Sequence, residues 1–220
     1  MRLLWFIALF STLGLSKTGF SSSCHMQVNS SKSQYIVGYG SLMLESSKRD
    51  TYHSVGENVP ILLTGYQRGW FARGLYQGHA TTFLGASYKA HHNMNAVMFQ
   101  VTPKIIAAFD TRERNYCRSL VRASNIKWLS DAKDLTQAQV WIYMPSDSSR
   151  LKPSSENPIY QTYVDKFLQG CLEMEQKFHL KDFSRNCIIK TTDWPKKIKN
   201  DRKTKAKYQI KINQLQEELK

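Results

Sequence analysis

The chain has no C-x-x-C pair; its four cysteines stand alone at positions 24, 117, 171 and 187. Structural zinc is held by closely spaced cysteine or histidine pairs, so the absence of such spacing argues against a zinc site. No apolar run reaches the roughly 17–25 residues that a membrane-crossing helix needs. The longest, residues 3–15 (LLWFIALFSTLGL), stops short of it. There is no internal repeat and no low-complexity block, which argues against a solenoid. Acidic residues are scarce: 17 Asp+Glu stand against 31 Lys+Arg, a formal net charge of +14 in 220 residues. Apolar residues are not scarce. At 41% hydrophobic and 12% aromatic, the chain can bury a core, and its composition is not that of a disordered segment.

The positive charge is uneven. Residues 190–220 hold ten Lys/Arg against four Asp/Glu. This stretch reads as a basic C-terminal extension with a solvated lysine face, and weak contact with an anionic surface is its alternative role. No nucleic-acid motif accompanies it, so no nucleic-acid partner is expected. The N-terminus reads as an export signal. Arg2 is a minimal charged region, residues 3–15 form the apolar segment, and small residues follow, with cleavage after Ser16 or Ser23. The expected layout is a signal peptide over 1–23, a linker over 24–34, a folded domain over 35–189 and the extension over 190–220. The protein is then exported, either secreted or periplasmic, and monomeric. A membrane-anchored form, through an uncleaved signal or a lipid on Cys24, is the alternative, although the Leu-small-small pattern before Cys24 is missing. Cys171 and Cys187 suit either a disulfide or two buried thiols. Cys117 reads as a buried thiol, with a reactive one as the alternative.

The stretch around which the rest is organised is Tyr35-Ile36-Val37-Gly38-Tyr39-Gly40-Ser41-Leu42-Met43. A strand runs into two glycines that permit a tight turn with φ > 0. They also leave main-chain N–H groups uncovered, and such a turn forms a small anion-binding concavity. A plain glycine turn is the simpler reading. Met43 stands where a G-x-G-x-x-G fingerprint needs its third glycine, and no βαβ unit follows, so a dinucleotide site is not supported. Further strands are expected over 60–70, 81–88, 95–101, 117–123 and 138–143. In the first of these Tyr66, Arg68 and Trp70 alternate onto one face. Residues 45–58 and 145–158 read as polar loops, and His91-His92 as a solvated pair in a loop. Thr102-Pro103 opens a central helix with an N-cap and a first-turn proline. Amphipathic helices are expected over 159–178 and 208–220. Mostly strands with few helices point to an α+β or barrel-like fold rather than alternating βαβ units.

Chemistry concentrates at the end of the central helix. Asp110, Glu113 and Tyr116 lie three apart and share one side of it. Glu113, between Arg112 and Arg114, reads either as a surface ion-pair partner or as a general base in a cleft. In the cleft, partial burial would bring its pKa toward working pH. Tyr116 would then hold a substrate carboxylate or orient the acid. Arg68 and Arg73 either bind a substrate carboxylate or pair with surface acids.

Taken in order, Gly38-Tyr39-Gly40-Ser41-Leu42, the Gly65-Tyr66-x-Arg68 strand and Asp110-x-Arg112-Glu113-x-x-Tyr116 resemble the gamma-glutamylcyclotransferase-like superfamily. That superfamily includes ChaC-type glutathione-degrading enzymes and gamma-glutamylamine cyclotransferases. The motifs span residues 35–145. The resemblance implies an α+β fold, a small mixed β-barrel with flanking helices, and no metal or organic cofactor. It implies release of 5-oxoproline from a gamma-glutamyl amine, amino acid or peptide, with Glu113 as general acid/base. Tyr39, Gly40, Ser41, Leu42 and Tyr116 would bind the substrate. Ser41 lies in G-x-G-S-L rather than G-x-S-x-G, so it reads as a binding residue and not as a nucleophile. The alternative is a ligand-binding protein on the same fold that has lost the chemistry.

Overall fold

β1 (Ser33–Gly38), the strand that leads into the glycine turn, occupies the middle of a 7-stranded mixed sheet in the computed structural model, which describes residues 24–219. Its partners are β3 (His79–Val101), antiparallel, and β6 (Ala138–Pro145), parallel. β4 (Tyr116–Val121) pairs with β6 on one side, while β2 (Val59–Tyr76) and β5 (Ile126–Trp128) extend the sheet on the other. β7 (Thr191–Thr192) joins β2 beside Arg68 and Gly69. The sheet curls into a half-barrel with helices packed on it, so the fold is the mixed α+β type that the resemblance implies. The helices are α1 (Glu45–Arg49), α2 (Pro103–Arg112), α3 (Gln161–Lys177), α4 (Phe183–Ile189) and α5 (Gln209–Glu217).

Both faces of β1 are buried, and its alternation sorts its side chains between two cores. Tyr35 and Val37 join Trp70, Phe167 and Leu168 beneath α3 and α4. Ile36 joins Phe99, Ile105, Phe109 and Trp141 beneath α2. A strand covered on both sides reads as a continuous apolar run, which is what 35–37 show. α2 starts as its sequence dictates, with the Thr102 hydroxyl accepting from the Ile105 N–H and Pro103 in the first turn.

Three local readings are corrected. The strands expected at 81–88 and 95–101 are one strand, β3, that runs through His91 and His92. These polar residues are exposed on the long β2–β3 hairpin, whose register shifts at Thr64/Tyr66 and Trp70/Ala72. Polar composition signals exposure there, not the end of a strand. Within the polar 45–58 segment a short helix forms because its polar groups satisfy one another. Fully buried Lys48 pairs with Glu45 at 2.8 Å and donates to the Gly56 carbonyl and the Asn58 side chain. Asp110, Glu113 and Tyr116 do not share a helix face, since α2 ends at Arg112 and Tyr116 opens β4.

All four cysteines are paired, as Cys24–Cys117 and Cys171–Cys187. The sulfur considered for a lipid is thus bonded to β4, and the segment after it is held to β6 by Asn29 donating to Gln139 at 2.6 Å. Residues 190–219 lie against the same core: Ile212 is buried, Asp201 accepts from Thr162, and Arg202 pairs with Asp165. The signal-peptide reading of 1–23 falls outside the described residues. Among the described residues no helix is long and apolar enough to cross a membrane.

Tyr66, Arg68 and Trp70 do share a face, and all three are buried. Arg68 is neither a substrate ligand nor a partner of a surface acid. It is wholly buried and donates to the carbonyls of Tyr39 (3.3 Å), Asn95 (2.9 Å) and Cys187 (3.1 Å), and to Thr191 Oγ1 (2.7 Å). Its guanidinium stacks on Phe167. Burial lowers its pKa to about 9, which leaves it charged at neutral pH. Arg68→Met keeps the bulk but orphans these acceptors. It should cost about 3–5 kcal/mol of stability in urea unfolding of the oxidised protein, and a loss below ~1 kcal/mol would contradict this role.

Candidate active site

Gly40 links β1 to a single 3₁₀ turn, Ser41–Met43, closed by the Met43 N–H donating to the Gly40 carbonyl at 3.0 Å. The positive φ expected at the two glycines is absent: Gly40 has φ −126°, and among the described glycines only Gly65 and Gly78 are positive. Space is what demands glycine here. A Cβ on Gly38 would lie 2.9 Å from that of Leu42, and one on Gly40 would lie 2.9 Å from the Tyr163 hydroxyl. The first N–H groups of such a turn have no acceptor within it. Opposite stands the end of α2. Its capping residue, Glu113, bonds its N–H to the Phe109 carbonyl and accepts from the Tyr116 N–H at 2.7 Å. That tight exit turns the chain into β4 and sends the Glu113 carboxyl and the Tyr116 ring to one place.

All the residues expected at the site line one pocket: Tyr39, Gly40, Ser41, Leu42, Glu113 and Tyr116. Their roles differ. The Tyr39 hydroxyl donates to the Tyr143 carbonyl and is spent on the wall, while its own carbonyl accepts from Arg68. The Tyr116 hydroxyl donates to the Leu84 carbonyl at 3.0 Å. Burial raises the pKa of both phenols well above the usual value, so they remain neutral. Asp110 is not at the site. Its carboxylate is taken by Arg118 (2.9 Å) and the Tyr143 hydroxyl (2.7 Å), with His25 at 3.3 Å.

Arg112 joins the two halves of the pocket. It donates to Ser41 Oγ at 3.1 Å, to the Ser47 carbonyl and to Thr51, and its Nε lies 3.1 Å from Glu113 Oε1. Two effects compete at Glu113, whose side chain is 17% exposed. Desolvation raises its pKa and the Arg112 guanidinium lowers it; desolvation prevails, and the carboxyl titrates above the ordinary range. A carboxyl lifted by burial above the ordinary glutamate range, yet held by a cation, is better suited to accept and return a proton than a solvated one.

Four further residues line the pocket: Val37 on β1 and Leu84 on β3, which are apolar, and Tyr143 on β6 and Tyr163 on α3, which carry polar tips. Tyr163 belongs to the apolar stripe of its helix by periodicity, and the one available signal was a polar-tipped aromatic on a core face. Its phenol faces the Ser41 hydroxyl and backbone N–H, and burial pushes its pKa up to about 12. The inner cavity is small, about 30 Å³. It adjoins a space of about 300 Å³ that shares Ser41, Glu113, Tyr116 and Tyr163 with it. Among the described residues no cluster of metal-ligating side chains is present.

No protein-family model and no curated protein sequence matches the chain. Solved structures do. One titled gamma-glutamyl cyclotransferase is 12% identical with a TM-score of 0.55, covering 84% of this chain and 99% of that one. An uncharacterized human protein is 11% identical with a TM-score of 0.55, covering 76% of this chain and 94% of that one. At such identities the likeness is one of architecture, and the chain has the gamma-glutamyl cyclotransferase-like fold.

Proposed function

We propose that the protein releases 5-oxoproline from a gamma-glutamyl amine, amino acid or peptide. The observation that carries this reading is one desolvated carboxyl, Glu113, sharing a pocket with the Gly40-Ser41-Leu42 turn. A gamma-glutamyl group brings its own nucleophile, the α-amine. Attack of that nitrogen on the γ-carbonyl carbon closes a five-membered lactam, and the bond from that carbon to the leaving nitrogen breaks. The attacking ammonium carries three protons and the lactam nitrogen keeps one. Glu113 takes the first and returns it to the departing nitrogen, then passes the second, released on ring closure, to the freed amine, which leaves as an ammonium ion. The turn at Tyr39-Gly40-Ser41-Leu42 holds the glutamyl head, with its N–H groups facing developing negative charge. Tyr116 closes the side of the site. Pre-folding the substrate supplies much of the acceleration because the reaction is intramolecular. No protein nucleophile, metal or organic cofactor takes part in this scheme.

A second reading, ligand binding without turnover, draws on the inner cavity. At about 30 Å³ it holds a water molecule rather than an amino acid, so a glutamyl head must lie across it and the adjoining space. We also propose that the protein is exported as a monomer; its disulfides suit an oxidising compartment.

Glutathione, gamma-glutamyl amino acids and gamma-glutamyl-lysine, each assayed for 5-oxoproline, decide between turnover and binding. Glu113→Gln should lower the rate by about 100-fold or more; equal product from the variant, or none from the native protein, would sink the catalytic reading. The acidic limb of kcat/KM should lie above the ordinary glutamate value of about 4.3. Because the Arg112 cation favours the carboxylate, Arg112→Gln should move that limb to still higher pH. An unmoved limb would separate Arg112 from the titration. Exported protein should show an intact mass lacking residues 1–15, and a mass retaining them would contradict signal cleavage.

A further inference from the structure

Beyond the space beside Glu113 lies a vestibule of about 620 Å³, and the two share Leu75, Arg114, Asn115 and Tyr116. The outer walls bring Arg73 from β2 together with Ser146, Ser149 and Asn157. The cations lining the path from the pocket to the surface are Arg112, Arg114 and Arg73. Glu113 is the one carboxylate among its described lining residues, and it lies at the inner end. Arg112 is engaged by Ser41, Ser47, Thr51 and Glu113, whereas Arg114 is exposed. Arg73 donates one Nη to the Lys152 carbonyl, but its Nε and other Nη are buried without an acceptor among the described residues. The nearby acid, Glu156, lies outside this lining, fully exposed, and accepts from the Ser155 hydroxyl. Buried N–H groups on a cation without an acceptor are costly, and an anionic ligand would remove that cost.

We propose that Arg73 and Arg114 form a carboxylate subsite for the leaving group, so that the substrate is a gamma-glutamyl amino acid or peptide rather than a gamma-glutamyl amine bearing a cation. This rests on the cyclotransferase reading, in which the leaving nitrogen departs from beside Glu113. Whatever it carries extends through the shared opening toward these guanidinium groups. A carboxylate there meets attraction from each of them, whereas a second ammonium meets repulsion in a half-enclosed space where water screens poorly. Ser146, Ser149, Asn115 and Asn157 add neutral donors around the charge.

The test pairs gamma-glutamyl-alanine with its C-terminal amide, which differ in one carboxylate. Both are measured by calorimetry against the Glu113→Gln protein and by 5-oxoproline release from the native protein. The acid should bind and react about tenfold better than the amide, the scale of one charge-assisted contact. Arg73→Gln should bring that ratio toward one, Arg73→Lys should restore part of it, and the exposed Arg114→Gln should lower it without a folding defect. Equal affinity for acid and amide overturns the subsite, as does a preference for a gamma-glutamyl diamine, whose leaving group carries an ammonium and no carboxylate. Selective binding without 5-oxoproline would leave the subsite standing and remove the cyclotransferase reading. Turnover without selectivity would do the reverse, and binding of neither compound would remove both.

Discussion

The buried guanidinium of Arg68 is the interaction on which the architecture depends. From the middle of β2 it reaches the Tyr39 carbonyl at the glycine turn, the Asn95 carbonyl on β3, the Cys187 carbonyl on α4 and the Thr191 hydroxyl at β7, and it packs on Phe167 of α3. An uncompensated charge in such a place would be prohibitive, and these acceptors disperse it. The Cys171–Cys187 disulfide ties α3 to α4 beside the same hub, and the Asn95 amide donates to the Phe183 carbonyl next to it. The backbone that leads into the pocket is therefore fixed from behind, by groups that never face a ligand.

From the front, the pocket is set by Arg112. It holds Ser41 with one end of its guanidinium and Glu113 with another, so the turn and the acid cannot drift apart independently. The same contact opposes the desolvation of Glu113 and moderates the rise of its pKa. Around them the phenols of Tyr39, Tyr116 and Tyr163 are raised by burial and stay neutral, which leaves Glu113 as the charge-bearing member of the inner pocket. Outside it the lining turns cationic, so the field along the opening favours an anionic group at the outer end.

Much of this was legible from residue order. Alternation along 66–70 placed Arg68 on one face with Tyr66 and Trp70, but revealed neither its burial nor its role, because the carbonyls it meets come from segments remote in sequence. Thr102-Pro103 marked the start of α2, but its end was misread. Charged residues at 110–116 continue a helical spacing, and nothing local reveals that Glu113 caps the helix and Tyr116 opens a strand. The glycines were rightly singled out for the wrong reason. Local chemistry suggests φ > 0, whereas neighbours at 2.9 Å from a would-be Cβ are what exclude a side chain. The polar stretch 45–58 and the His91-His92 pair read as loops because composition reports exposure and cannot report a Lys48–Glu45 pair or a long hairpin.

By itself, the sequence determined which residues the fold would bring to one pocket. Its glycine turn, its acid between arginines and its tyrosine three residues on converge in the structure as that order implied. Tertiary structure alone decided that Asp110 turns away to Arg118, that Tyr143 and Tyr163 complete the wall, and that Arg73 comes to stand outside the Glu113 pocket. The reason is range. A turn, a cap or a strand face is set by forces acting over a few residues. A pKa, a paired cysteine or a cation in a vestibule depends on what a distant segment brings to within a few ångströms.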